Sequence, residues 1–184
     1  MNVTTFVLLA ANLAMIGCLP AVAFRRDGRF NLSWWATASP FLLAGGALVA
    51  ARVGALALHH APEAFAACGV TTSSLSIALL WSTAATHRVP LALWHQANDA
   101  PVHLVTWGPY RRIRHPYYAS FLLALLATAL AAPHPATVAA FLLGVTVLTL
   151  TARREERRLL SSQFGAEYAG YMASTGRFLP KLWR

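Results

Sequence analysis

The fold of this chain is decided by residues 116–152, which read PYYASFLLALLATALAAPHPATVAAFLLGVTVLTLTA and contain no charged side chain. A helix needs about 20 mostly apolar residues to cross a bilayer, so the run is too long for one helix. Pro133 and Pro135 interrupt it, and a proline removes a backbone donor and clashes with the preceding helical turn. The run therefore predicts two helices, about 117–132 and 136–152, joined as a hairpin by a tight Ala-Pro-His-Pro turn.

Three further apolar stretches precede this hairpin. They run from Met1 to Phe24, from Phe30 to Ala51 (continuing past Arg52 to Leu58), and from Ala64 to His87. Lipid tolerates only helices or closed barrels, and the two-residue alternation of a barrel strand is absent. The sequence therefore predicts an all-α, polytopic membrane bundle with five transmembrane helices.

The composition supports a membrane protein. Apolar residues make up 57% of the chain and charged residues 11%, whereas a soluble domain has roughly 25% charged residues. The net charge is +9, and fourteen of the fifteen basic residues fall in segments 25–29, 88–114 and 153–184. Because cytoplasmic loops collect Lys and Arg, this distribution predicts an amino terminus outside and a carboxyl terminus in the cytoplasm. It also explains the basic excess by orientation and anionic-lipid contacts, so no nucleic-acid partner is expected.

The chain is expected to form a single integral membrane domain over residues 1–184. Residues 1–87 supply three helices, and residues 88–184 supply a loop, the hairpin and a cytoplasmic tail. The first helix is expected to be retained, since three arginines follow it and no basic segment precedes it; a signal peptide cleaved after Ala21-Val22-Ala23 is the alternative. The chain contains no His-x-x-x-His, His-Glu-x-x-His or Cys-x-x-Cys spacing, and the adjacent pair His59-His60 does not face one side of a helix, so no metal site is expected. The alanine-rich composition and short loops suggest a bacterial inner membrane.

Polar and aromatic residues around the third loop exceed what a spacer requires. Segment 107–110, Trp-Gly-Pro-Tyr, predicts a turn, and Pro116 is placed where the fourth helix begins. An aromatic belt and snorkelling arginines are the simpler explanation of these residues. In the tail, two interpretations of Glu155 and Glu156 are open. They pair with Arg158 and Arg153 on a solvated helix, or they bind the ammonium or ribose hydroxyl of a ligand.

Two blocks together carry a resemblance to a known superfamily. The first is Leu104 to Tyr118, which reads LVTWGPYRRIRHPYY; the second comprises Glu155-Glu156, Leu159, Phe164-Gly165, Glu167-Tyr168, Tyr171 and Arg177-Phe178-Leu179-Pro180. Their order and separation resemble those of the isoprenylcysteine carboxyl methyltransferase and phospholipid methyltransferase superfamily of integral membrane enzymes. The resemblance covers about residues 90–181.

The resemblance implies S-adenosylmethionine as cofactor, bound in the cytoplasmic half of the membrane between the third loop and the tail. Position by position, it implies a set of cofactor contacts. These are Val102, His103, Leu104, Val105, Tyr110, His115, Pro116, Tyr117, Tyr118 and Glu156, with a further contact at either His95 or Gln96.

The resemblance leaves the methyl acceptor open. In the carboxyl methyltransferases an arginine that contacts substrate lies four residues before the glutamate; Ala152 occupies that position here, and Arg153 is the candidate replacement. A carboxylate acceptor needs no base. An amine or thiol needs a proton acceptor, and His115 or His103 is the candidate for that role. Carboxyl O-methylation of a lipophilic small molecule or lipid is expected first, then phospholipid amine N-methylation and thiol S-methylation. A non-enzymatic membrane scaffold is the alternative from another class.

Overall fold

The computed structural model describes residues 1–17, 32–59, 61–86 and 104–181, and these residues form helices and connecting loops without a named strand. The helices are α1 (Val3–Gly17), α2 (Leu32–Arg52), α3 (Glu63–Thr86), α4 (Pro116–Ala131), α5 (Pro135–Leu160) and α6 (Gly165–Ser174). Within the described residues, the 3-10 turn Gly108–Arg111 precedes α4. The predicted all-α class is confirmed for this part of the chain.

The predicted hairpin is present, but one of its boundaries was wrong. Helix α4 ends at Ala131 and α5 begins at Pro135, so the two prolines break the apolar run as expected. Helix α5 continues to Leu160 instead of ending near residue 152. The added residues are Arg, Glu and Leu, which are strong helix formers, and a change from apolar to charged side chains does not end a helix.

Helix α2 also ends earlier than its apolar pattern suggested. The pattern continues to Leu58, but Gly54 adopts a φ of 76°. The amide of Ala55 then donates to the carbonyl of Ala50 at 2.8 Å. A glycine in the left-handed region closes the end of a helix in this way, because it carries no Cβ.

Helices α3 and α5 are long and apolar enough to cross a membrane, judged by length and composition. Helices α1 and α4 are apolar but shorter, with 15 and 16 residues. At 1.5 Å per residue they measure about 22–24 Å, less than the roughly 30 Å of a bilayer core. The described helices therefore provide two candidate spans.

The helices group into two compact units, of which the first comprises Met1–Ile77 and Ser120–Val147. Its interior contains a buried polar cluster. The amide Nδ2 of Asn12 donates to Oγ of Ser73 at 2.9 Å, and the hydroxyl of Ser76 donates to the carbonyl of Ser120 at 2.8 Å. Each of these groups has a hydrogen-bond partner, which an apolar interior requires.

The second unit comprises Ala78–Ala119 and Leu148–Arg184. Backbone hydrogen bonds join the loop before α4 to the segment after α6. Ile113 and Gly176 form an isolated parallel bridge, with the amide of Arg114 donating to Gly176 at 2.8 Å and that of His115 donating to Arg177 at 3.0 Å. Segments 112–115 and 175–178 are thereby fixed against each other, and the predicted site residues lie around this link.

Candidate active site

The 3-10 turn begins at a glycine that no other residue can easily replace. Gly108 has a φ of 60°, and a Cβ on it would lie 2.4 Å from Oγ1 of Thr86. Both the left-handed backbone and the close approach favour glycine. On the far side of the turn, the hydroxyl of Tyr171 in α6 donates to the carbonyl of Tyr110 at 2.6 Å. The predicted turn is therefore present and is attached to α6.

His115 lies immediately before α4, and its ring is buried. Its Nδ1 lies 3.5 Å from Oε2 of Glu155, and its Nε2 lies 3.3 Å from Oε1 of Glu156. Nε2 is enclosed, and within the described residues it forms no hydrogen bond with acceptable geometry. The ring stacks on that of Tyr118, with centroids 5.4 Å apart and planes 3° from parallel. Both ring nitrogens of His115 therefore face carboxylates of α5, and one face of the ring stacks on Tyr118.

Glu156 is surrounded by cationic side chains. Nε of Arg114 donates to its Oε1 at 3.0 Å, and Nη2 of Arg177 donates to its Oε2 at 2.6 Å. Arg114 also donates to the carbonyls of Met172 and Thr175, at the end of α6. The carboxylate thus joins α5, the loop before α4 and the segment after α6. Bidentate bonding to arginine is among the strongest polar contacts in proteins.

Glu155 has different neighbours from Glu156, although the two are adjacent in α5. The hydroxyl of Tyr118 donates to its Oε1 at 2.7 Å. The Glu155 side chain is 27% exposed, against 4% for Glu156. The predicted alternative, in which these carboxylates pair with arginines along the same helix, is not what the contacts show: both turn toward the loop before α4 and the start of that helix.

Several groups around the 3-10 turn and the tail have shifted pKa values. The hydrogen bonds of Arg177 to Glu156 raise the pKa of that guanidinium above its usual range. Burial raises the pKa of the Tyr171 hydroxyl to about 12 and that of Tyr110 further. Arg177 therefore stays cationic, and both phenols remain protonated hydrogen-bond donors at neutral pH.

A small cavity brings five of the predicted cofactor contacts together. It is lined by Tyr110, Arg114, His115, Pro116, Tyr117 and Tyr118. Leu104, Val105 and Glu156 do not line it. Arg153 does not line it either and is exposed on α5. The expected contacts at His95, Gln96, Val102 and His103 lie outside the described residues.

Sequence reasoning missed the roles of Arg114 and Arg177. Both belong to the quoted blocks, but their spacing along the chain gives no sign that they meet at one carboxylate. Only the bridge between Ile113 and Gly176 brings them together. A basic residue directly before His115, matched by another beside Phe178, is the signal that would have suggested the pairing.

The comparison with known families agrees with this geometry. The family model described as phospholipid methyltransferase matches residues 63–167, more than half of the chain. The chain belongs to the phospholipid methyltransferase family. The match includes the 3-10 turn, His115 and both glutamates, and it ends before the segment that contains Arg177. No curated protein shows significant sequence similarity to the chain.

Membership of the phospholipid methyltransferase family makes this protein a membrane methyltransferase, and it confirms the superfamily that the two sequence blocks predicted. Enzymes of the family use S-adenosylmethionine as methyl donor. The non-enzymatic scaffold is therefore set aside. Among the described residues, no group of three His, Cys, Asp or Glu side chains is placed to hold a metal ion.

The residues around the cavity fit the chemistry of S-adenosylmethionine. His115 lines the cavity, and its Nε2 makes no well-aligned hydrogen bond within the described residues, although Oε1 of Glu156 lies 3.3 Å away. The aromatic lining from Tyr110, Tyr117 and Tyr118 suits a flat base or a cationic sulfonium. Glu155 adds a negative charge beside this lining. These described residues thus have the chemistry that one wall of such a cofactor site requires.

Proposed function

We propose that this protein transfers a methyl group from S-adenosylmethionine to a lipophilic acceptor in the membrane. The family match supports the reaction class. The observation that supports this location is the cavity lined by His115 and by the aromatic rings of Tyr110, Tyr117 and Tyr118. When bound, the cofactor supplies a methyl group activated by the positive charge on sulfur.

The residues of this chain contribute mainly by binding and orienting. His115 is fixed by its stack on Tyr118 and by the carboxylates of Glu155 and Glu156 beside its two ring nitrogens, and it lines the cavity. The rings of Tyr110 and Tyr117 add apolar surface to the lining. Holding two reactants in line while excluding water supplies a large part of the rate of a displacement reaction.

A phospholipid amine is the first acceptor to test, with a carboxylate as the second candidate. The family description supports the amine. A carboxylate acceptor calls for a free guanidinium in the site. Arg114 lines the cavity, but it and Arg177 are both engaged by Glu156, and Arg153 does not line the cavity. An amine instead needs a group that takes its proton, and His115 lines the cavity. Thiol S-methylation would need the same proton acceptor.

The topology forms part of the proposal. We propose a single membrane domain with five spans, an amino terminus outside and an active site facing the cytoplasm of a bacterial inner membrane. The distribution of basic residues supports this orientation. A single cysteine introduced at Lys181, on a cysteine-free background, tests it: labelling by an impermeant maleimide only after the cells are opened is expected.

The function is tested by binding and turnover in detergent. Calorimetry with S-adenosylmethionine is expected to give a micromolar Kd for the wild type and a loss of at least tenfold for His115→Ala. His134→Ala is the matched control, because His134 lies at the turn between α4 and α5 in the other unit. Labelled methyl transfer to phosphatidylethanolamine and to a prenylated cysteine then separates the two acceptors. Absence of binding by well-folded wild type would contradict the proposal.

A further inference from the structure

Two adjacent carboxylates on α5 carry very different charge environments. Glu156 is 4% exposed and hydrogen-bonds to two guanidinium groups. Glu155 is 27% exposed, and its hydrogen-bond donor is the neutral hydroxyl of Tyr118. The charge of Glu156 is therefore neutralised within the protein, while that of Glu155 is not neutralised by a directly bonded arginine or lysine.

The groups that face Glu155 come from three places. Nδ1 of His115, before α4, lies 3.5 Å from its Oε2, and Tyr118 of α4 bonds its Oε1. On α5 itself, Arg158 attracts the carboxylate from a longer distance and Glu156 repels it. Among the described residues, no Arg or Lys nitrogen lies within the 4 Å of an ion pair with Glu155.

Glu155 lies directly behind the wall of the cavity. Both residues that it contacts, His115 and Tyr118, line that cavity. Glu155 itself does not line it, so it has no catalytic role in the strict sense. A charge acts over several ångströms where water is excluded, and one carboxylate behind two aromatic rings favours a cation in front of them.

We propose that Glu155 gives the site its preference for the positively charged sulfonium of S-adenosylmethionine over the neutral thioether of S-adenosylhomocysteine. This inference rests on the proposed function and concerns binding alone. The two ligands share the adenosine and the amino-acid portion and differ by one methyl group and one positive charge. A group that acts by its charge changes the ratio of their affinities, whereas a group that only supports the fold weakens both alike.

The test compares the Kd values of both ligands in detergent-purified full-length protein. Glu155→Gln keeps the size of the side chain and an oxygen that can accept from Tyr118. We expect about tenfold weaker binding of S-adenosylmethionine in this variant, because a single charge interaction at this range contributes about a factor of ten to the affinity. Binding of S-adenosylhomocysteine is expected to stay within about twofold of the wild type.

Two further variants keep the result interpretable. Tyr118→Phe retains the carboxylate but removes its hydrogen-bond donor, so a smaller change of the affinity ratio in the same direction is expected. Glu167→Gln removes an exposed carboxylate from α6 and is expected to leave the ratio unchanged.

Each alternative outcome has a definite meaning. An unchanged ratio in Glu155→Gln, with both ligands still bound or both weakened equally, overturns the inference and leaves the proposed function intact. Failure of the wild type to bind either ligand overturns the proposed function and the inference together.

Discussion

Nε of Arg114 donates to Oε1 of Glu156 at 3.0 Å, across 42 residues of sequence. The Arg114 and Glu156 side chains are 8% and 4% exposed. Both charged groups are therefore desolvated, and their attraction offsets the cost of burying them. Arg177 completes the group from the segment after α6. The ion pair connects three parts of the second unit that lie far apart in sequence.

Neutralising the carboxylate of this ion pair is expected to destabilise the protein strongly. Glu156→Gln leaves the buried guanidinium of Arg114 without its counter-charge, and breaking a buried pair in this way costs about 3–5 kcal/mol. Thermal unfolding in detergent measures the loss. Glu63→Gln, at the exposed start of α3, is the control and is expected to change stability by less than about 0.5 kcal/mol. A loss below about 1 kcal/mol in Glu156→Gln would be inconsistent with a buried ion pair.

A methyl group added to the 3-10 turn is expected to disrupt the site. In Gly108→Ala the new Cβ meets Thr86, and the left-handed backbone adds about 1–2 kcal/mol. Gly54→Ala is the matched control, because Gly54 also has a positive φ but nothing lies within 4 Å of the added atom. Cofactor binding by calorimetry is expected to weaken in Gly108→Ala alone. Equal behaviour of the two variants in binding and unfolding would contradict the close contact with Thr86.

The hydroxyl of Tyr171 is expected to make the protein less stable at high pH. Its pKa is about 12 in the folded protein, against 10 in an unfolded chain. Between these values the folded state binds more protons than the unfolded state, so the free energy of unfolding falls as pH rises. Below about pH 10 both states are protonated and the contribution is constant.

The comparison of wild type with Tyr171→Phe isolates this effect. The variant loses a hydrogen bond to Tyr110, which destabilises it by about 1 kcal/mol at neutral pH. Between about pH 10 and 12 the difference between the two proteins is expected to shrink, because only the wild type loses stability through this group. Unfolding midpoints across this range provide the measurement. A difference that grows with pH would contradict the assigned direction.

The polar cluster of the first unit is expected to hold helices together. Ser76 donates across to the carbonyl of Ser120, whereas Ser74 donates to Val70 of its own helix. Ser76→Ala is therefore expected to lower the free energy of unfolding by about 0.6–1.7 kcal/mol, the range measured for interhelical bonds in membranes. Ser74→Ala is expected to have little effect, since its side chain is exposed and its bond is local. A steric trap assay in bicelles compares the two, and equal losses would contradict this assignment.

Much of the fold could be predicted because lipid limits the choices. Charge-free runs and two prolines were enough to place the hairpin, since only helices satisfy the backbone in an apolar solvent. The end of α5 was missed because hydropathy changes at Ala152 while helix propensity does not. The end of α2 was missed because a single glycine conformation at Gly54 decides it.

The candidate site was predictable only through resemblance. The two blocks indicated Tyr110, His115, Pro116, Tyr117 and Tyr118, and the cavity brings these five together. The contacts of the two glutamates depend instead on tertiary structure. Neither periodicity nor spacing indicates which of two adjacent glutamates meets the arginines.

The bridge between Ile113 and Gly176 also determines when the site can form during protein synthesis. Arg114 is translated 61 residues before Thr175, whose carbonyl it binds. At elongation rates of about 5–20 residues per second, its guanidinium waits about 3–12 seconds for that partner. A nascent chain stopped before Gly176 already contains every residue that lines the cavity, yet it lacks the segment that fixes them. The active site therefore cannot be completed on the ribosome until the segment after α6 has been synthesised.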